Sequence, residues 1–229
     1  MEKLTSKNIH SAGFKYGFNV TADLMKGYVK GVETLTSKLT NNYNDYKVRT
    51  PDFDDSLQSE IELEYERLEE NEWNLDNLFN IHFPNLQRRS ALITLFSIFE
   101  CELNEYCNFL QETLSLNLGY QDINGRGIDR SIKYIEKVIE VDISSLQPIR
   151  DEIKTIQFIR NFIVHQGGEL IFNSNERAVN DVLKFIEQKR PLLSTEDGVT
   201  IKAGYLMYVI TLMEEYFSKL ERIIQKEKF

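Results

Sequence analysis

The chain has 229 residues, of which 41% are hydrophobic and 28% charged, and a formal net charge of −9. That length can bury a sizeable core as one domain, or as one domain with an appendage, while the acidic balance excludes a protein that coats nucleic acid by bulk electrostatics. The longest apolar runs, "ALITLFSIF" and "YLMYVITLM", are too short to span a bilayer, and "MEKLTSKNIHSAGFK" lacks a signal peptide's apolar centre, so a cytoplasmic protein with no membrane partner is expected.

Along the chain, the first fifty residues mix glycine, threonine and tyrosine and predict a helix over about 21–40 behind an extended or loop segment. "RTPDFDDS" reads as a loop in which Asp55 or Ser56 caps a helix running to about Asn80. The acidic stretch 59–76, with Glu62, Glu66, Glu69 and Glu70, then forms a solvated face of that helix. Pro84 punctuates. Residues 86–116 form one long amphipathic helix, since Leu92, Phe96, Phe99, Leu103, Tyr106 and Leu110 recur at three- and four-residue spacing. Glu100 flanks that stripe, where the simplest reading sends it to solvent and the alternative requires a cationic partner. Cys101 and Cys107 lie roughly 9 Å apart along the same helix, too far for a disulfide, and are expected as reduced core thiols.

"LGYQDINGRG" is a loop, and Ile128, Ile132, Ile135 and Ile139 mark a short helix after it. The next helix carries Ile149, Ile153, Ile156 and Ile163 as its stripe, with Asp151 and Glu152 suited to its first turn and Gly167 and Gly168 to its end. A further helix over "NERAVNDVLKFIEQK" precedes "LLSTEDGVTIKAG", whose Asp-Gly turn predicts a small hairpin. A last long helix follows, with Leu206, Ile210, Met213, Phe217, Leu220 and Ile224 in register. The fold class expected is all-α: a bundle of four to five helices with a small β-hairpin before the last one. Residues 86–229 make up this domain, and 1–85 an unassigned N-terminal extension, helical in part.

One constellation stands out. "RNFIVH" places Arg160, Asn161 and His165 in an otherwise apolar helix. An Arg followed by His at four to six intervening residues is expected roughly 0.4 times by chance, but with Asn directly after the Arg at one fixed spacing the figure drops to about 0.01. Arg160 interrupts the isoleucine stripe, and a buried arginine needs a carboxylate such as Glu100 or a phosphate from outside. Asn161 and His165 are four apart, so the amide is placed to orient the imidazole. These groups suit cleavage of a phosphodiester beside a ribose 2′-hydroxyl, the histidine moving a proton and the arginine stabilising the charged transition state. Five residues of helix turn Arg160 about 140° from His165, so a symmetry-related copy is expected to complete the site. His10, His82 and His165 have no helical metal spacing between them and the chain has no CxxC pair, so neither a metal nor a cofactor is expected.

"RNFIVH" resembles the Arg-x4–6-His motif of the HEPN superfamily, in its form with a polar residue after the arginine. The glutamate-bearing helix "SIFECELNEYC" before it and the hairpin "TEDGVTI" before the last helix are similar to that family too, over residues 86–226. The resemblance implies an α-helical homodimer whose facing motifs form a metal-independent endoribonuclease that leaves a 2′,3′-cyclic phosphate. The class of proteins includes toxins and anti-phage abortive-infection effectors, so RNA and an antitoxin or regulatory protein are the implied partners. Arg160 and His165 would be catalytic, Asn161 the polar accessory, and Glu100 the carboxylate that orients Arg160. Where nucleotidyltransferase-paired toxins carry a tyrosine two residues after the histidine, this chain has Gly167, which argues against that mode of control. Arg88, Arg89, Arg126 and Arg130 are the candidates for a local basic surface. The alternatives are a catalytically inactive HEPN-like dimerisation or partner-binding module, and an unrelated helical protein in which Arg160 and His165 are satisfied core residues.

Overall fold

The computed structural model describes residues 17–49, 64–70, 72–169, 176–195 and 198–229. Its main elements are α1 (Phe18–Arg49), β1 (Glu64–Tyr65), β2 (Leu68–Glu69), α2 (Leu75–Asn77) and α3 (Phe83–Thr113), followed by α4 (Ile128–Lys137), α5 (Gln147–Gln166), α6 (Glu176–Gln188), β3 (Leu193–Ser194), β4 (Thr200–Ile201) and α7 (Tyr205–Lys228). The protein is predominantly α, as its patterning predicts, and the described residues of 86–229 hold five helices with the small antiparallel β3–β4 hairpin before the last.

Helices α1, α3, α5 and α7 enclose one core. Its centre is aromatic: the Phe18 ring of α1 stacks on Phe217 of α7 with centroids 4.0 Å apart, and Phe99 of α3 meets Phe217 edge-on at 5.6 Å. Edge and offset contacts of this kind contribute about 0.5–1.5 kcal/mol beyond the area they bury. Polar ties fix how α1 lies on its neighbours, with Arg88 of α3 binding Glu33 through two nitrogens and Lys26 reaching Glu214 of α7 at 2.7 Å. The first helix, drawn from residues 1–85, therefore shares the core of the domain that follows it, and at 32 residues it is longer than the 21–40 expected.

Pro84 punctuates less sharply than expected. It lies in the first turn of α3 but inside a continuous helical run from Leu75, so the chain stays helical through it. A π turn over Leu78–His82 passes the chain into α3, with the Phe83 N–H reaching back five residues to Leu78.

The acidic stretch departs from the helix expected there. Residues 50–63, including the caps Asp55 and Ser56 and the Glu62 of that face, lie outside the described residues. Residues 64–70 form a hairpin whose turn residues Glu66 and Arg67 both have positive φ, at 53° and 66°. Tyr65 is the cause: its ring packs on Tyr43, Tyr46 and Phe79, with centroids 4.8–5.4 Å away. A second, smaller core of Tyr43, Leu75 and Phe79 forms there, and Leu68 joins it from β2. Aromatic burial outweighs the helix propensity of the glutamates, which is worth only tenths of a kcal/mol per residue.

Of the two thiols expected in the core, only Cys107 is buried. Cys101 faces outward, because six residues turn a helix by about 240° and place the two on different sides. Both are unpaired. No described helix is long and apolar enough to cross a membrane.

Candidate active site

The site is built on α5 where it crosses α3. Pro148 sits in the first turn of α5, which begins at Gln147, four residues before the acidic pair expected to open it. Ile153, Ile156, Ile159 and Ile163 hold its inner face in the core. The helix ends as the two glycines predict: Gly167 is left-handed at φ 62°, and the N–H of Gly168 bonds the Phe162 carbonyl.

Arg160 leaves the isoleucine stripe on the side toward α3. Its guanidinium lies 5.4 Å over the centre of the Phe96 ring. Nη2 stands 3.5 Å from Glu100 Oε2, and Nη1 donates to Asn161 Oδ1 at 3.0 Å. Glu100 is thus paired, contrary to the reading that sends it simply to solvent. Asn161 also differs from expectation: its amide oxygen holds Arg160, one residue back, and not His165 one turn ahead. The reason is local. Glu100 and Phe96 draw the guanidinium across the outer edge of α5, into reach of the adjacent amide.

Only 21% of the Arg160 side chain is exposed, and its Nε is buried without a hydrogen-bond partner. A buried unsatisfied donor on a cation is costly. The loop before α4 comes close to the same group: a Cβ added to Gly127, which has φ 57°, would stand 3.3 Å from both Glu100 Oε1 and Gln157 Nε2. Phe96, Gln157 and Gly127 are thus parts of the site that sequence reasoning missed. Gln157 alone had a visible signal, lying three residues before Arg160 on the same helix edge.

His165 is exposed, in the last turn of α5. His165 is therefore not the satisfied core histidine of the unrelated-protein alternative, whereas Arg160 is paired as that alternative has it. Ideal helix geometry puts His165 and Phe158 within about 20° of each other on the outer face, with Asn161 about 40° to one side. Phe158 is 44% exposed and Val164 45%, so uncovered apolar surface lies on the same outer side of α5 as the imidazole.

The end of α5 is fixed by Arg89 of α3. Its Nη1 donates to the Gly167 carbonyl at 2.6 Å, and its Nε and Nη2 both donate to the Val199 carbonyl, at 2.9 and 2.7 Å. Val199 in turn donates to the Gly168 carbonyl at 2.8 Å, joining the hairpin to the helix end. Asn85, buried, accepts at its Oδ1 from the Ile201 N–H at 2.9 Å. Three of the four arginines considered for a basic surface are therefore engaged inside the fold: Arg88 with Glu33, Arg89 with these carbonyls, and Arg130 with the Gly125 carbonyl at 2.9 Å. Arg126 is exposed in the loop beside Gly127.

Among the described residues no group of three or more His, Cys, Asp or Glu side chains is placed to hold a metal ion. Comparison with protein-family models, with curated proteins and with solved structures found no match for this chain.

Proposed function

We propose that the protein is a metal-independent endoribonuclease of HEPN type, acting at a site that two copies of the chain complete together, in the manner of a toxin or anti-phage abortive-infection effector. The observation that carries this reading is the state of Arg160: a guanidinium held on one side by Glu100 and Asn161 with about a fifth of its side chain still exposed, beside an exposed His165 on the same helix. An anionic phosphate oxygen is a ligand that the exposed edge of such a guanidinium can take.

The chemistry needs two further things. A 2′-hydroxyl must lose a proton as its oxygen attacks phosphorus, and the departing 5′-oxygen must gain one as the P–O5′ bond breaks. An imidazole does either. The charge that builds on the non-bridging oxygens between these events is stabilised by Arg160. The products are a 2′,3′-cyclic phosphate and a free 5′-hydroxyl, with atoms and protons balanced.

One chain alone presents these groups badly, since Arg160 and His165 diverge by about 140° around α5. The exposed Phe158 and Val164 beside His165 supply apolar surface on which a second α5 can dock. In this reading a twofold pairing has to bring the His165 of one copy to the exposed edge of Arg160 of the other.

The test is RNA cleavage by purified protein in EDTA, comparing the wild type with His165→Ala and Arg160→Ala and analysing product ends. The expected result is EDTA-resistant cutting that leaves cyclic phosphates and is lost in both variants. If an intact dimer cuts nothing, the enzyme reading fails and a binding module takes its place.

A further inference from the structure

A second uncovered apolar surface lies elsewhere in the molecule, on α1. Its inner face, with Phe18, Ala22, Met25, Val29 and Tyr43, is buried in the cores. On another side Val20, Leu24, Tyr28, Leu35 and Leu39 are 45%, 62%, 41%, 61% and 40% exposed. Together with Gly31 these positions fall within about 100° of the helix circumference, a continuous stripe of roughly 28 Å. Five large apolar side chains in one line are far more than the scattered surface residues a fold carries without purpose.

The two helix glycines are the second observation. Gly27 and Gly31 are exposed, and a Cβ added to either would meet nothing within 4 Å. Neither has the positive φ that would require glycine. Nothing among the described residues calls for them, and glycine is among the least favourable residues in a helix interior. Their missing side chains make room for something that approaches from outside.

The order of the stripe identifies what approaches. Val20, Leu24, Tyr28, Gly31, Leu35 and Leu39 are spaced 4, 4, 3, 4 and 4, and the series is identical read backwards. Two copies of α1 laid antiparallel about a twofold axis bring Val20 against Leu39, Leu24 against Leu35, and Tyr28 against Gly31. The largest residue of the stripe then faces the smallest. A parallel pair would set Tyr28 against itself and leave an empty layer at Gly31. Charge agrees with the antiparallel sense. The stripe carries no acidic residue; Lys38 lies on its edge, in line with Val20 around the helix, and in the antiparallel pair falls within two residues of Asp23 of the other copy on the same flank. In an antiparallel pair such same-flank residues face each other, whereas in a parallel pair opposite flanks meet and Asp23 would lie away from Lys38.

We propose that α1 is a self-association surface, on which a second copy of this chain docks antiparallel through the Val20–Leu39 stripe. The surface is distinct from the face of α5 and does not depend on the nuclease reading. On the order of 900 Å² would be covered across both copies, short of the ~1,200 Å² at which stable interfaces begin, so the pairing is expected to depend on concentration. With a twofold contact on α5 as well, the two surfaces would build an assembly larger than a dimer.

The test uses the full chain, with Cys101→Ser as background so that the exposed native thiol does not interfere. Leu24→Cys combined with Leu35→Cys is expected to give a disulfide-linked pair under mild oxidation, while each single variant stays unlinked. Gly31→Lys, which the isolated fold accommodates because space there is open, is expected to weaken association at least tenfold by sedimentation velocity, with an unchanged circular dichroism spectrum. Efficient linking by Leu24→Cys alone would overturn the antiparallel register. An unlinked double variant, or association unaffected by Gly31→Lys, would overturn the proposal and assign the stripe to another occupant. Phe158→Asp, directed at α5, should leave the cysteine linkage intact.

Discussion

Arg89→Met tests whether one arginine joins the hairpin to the end of the motif helix. The substitution keeps the aliphatic stem packed and deletes three donors. Of the two carbonyls released, that of Gly167 belongs to an exposed residue and recruits water, while that of Val199 retains the Asn85 amide at 3.4 Å. From these two carbonyls the net loss is at least that of one hydrogen bond to a charged group, about 2 kcal/mol. For a chain of this size about 2 kcal/mol lowers Tm by roughly 4–8 °C. The loss is local, so exchange of the Val199 amide, which bonds the Gly168 carbonyl, should accelerate more than that of Leu95 or Phe99 in α3. Thermal unfolding followed by circular dichroism gives the first quantity and amide hydrogen exchange the second. A Tm within a degree of wild type, or exchange that rises uniformly through α3, would refute the clamp.

Other expectations follow from single contacts. Gly168→Ala should be far more damaging than Gly167→Ala, because a Cβ at Gly168 would lie 2.6 Å from the Arg89 guanidinium carbon while one at Gly167 meets nothing; Gly167→Ala should cost about 1 kcal/mol of left-handed strain, by chemical denaturation. Burial pushes the Cys107 thiol up to about 12, so in native protein at pH 8 a thiol reagent should modify Cys101 alone and reach both only after unfolding; Cys101 should itself react slowly, its thiol raised by partial burial and by Glu105, Glu102 and Glu100. Asp76 is held below the ordinary carboxylate range, first by its bond from Lys47 and also by the Tyr43 hydroxyl at 3.1 Å. Its contribution is complete above about pH 4 and is lost as pH falls through the lowered value, so Asp76→Asn should flatten the acid limb of a stability profile. Phe217→Ala should cost about 3–5 kcal/mol in urea unfolding, since Phe18, Phe99, Tyr106 and Tyr216 all lose a ring contact.

The parts of the fold legible in the sequence are those fixed by local periodicity. The α3 stripe from Leu92 to Leu110 and the α7 stripe from Leu206 to Ile224 are buried as their spacing requires. Gly167 and Gly168 end α5 because a left-handed cap is a local demand. What sequence could not give depends on contacts between distant segments. Tyr65 is drawn into a hairpin by Tyr43 and Phe79, residues 22 and 14 positions away, and nothing near Tyr65 announces them. Cys101 was misplaced for a different reason: the apolar run around it hides the fact that its own direction on the helix is outward.

The candidate site divides along the same line. Helical spacing put Arg160, Asn161 and His165 within two turns of each other, yet which of them would bond was decided by α3. Glu100 and Phe96 hold the guanidinium at the edge of α5, and Asn161 follows the arginine because it is the nearest acceptor. That leaves the imidazole outward, unburied, at the end of a helix clamped by Arg89. Positions and roles separate here: the sequence names the groups, while packing decides that Arg160 is fixed and largely buried and that His165 is presented to whatever docks on α5. On the proposed reading such a site would not close within one chain, because Arg160 and His165 share one helix about 140° apart, and unwinding α5 to bring them together would pull Ile156, Ile159 and Ile163 out of the core. Burying each of those again is worth about 1.5–3 kcal/mol. On the proposed reading, a second copy would meet the same need without disturbing the core.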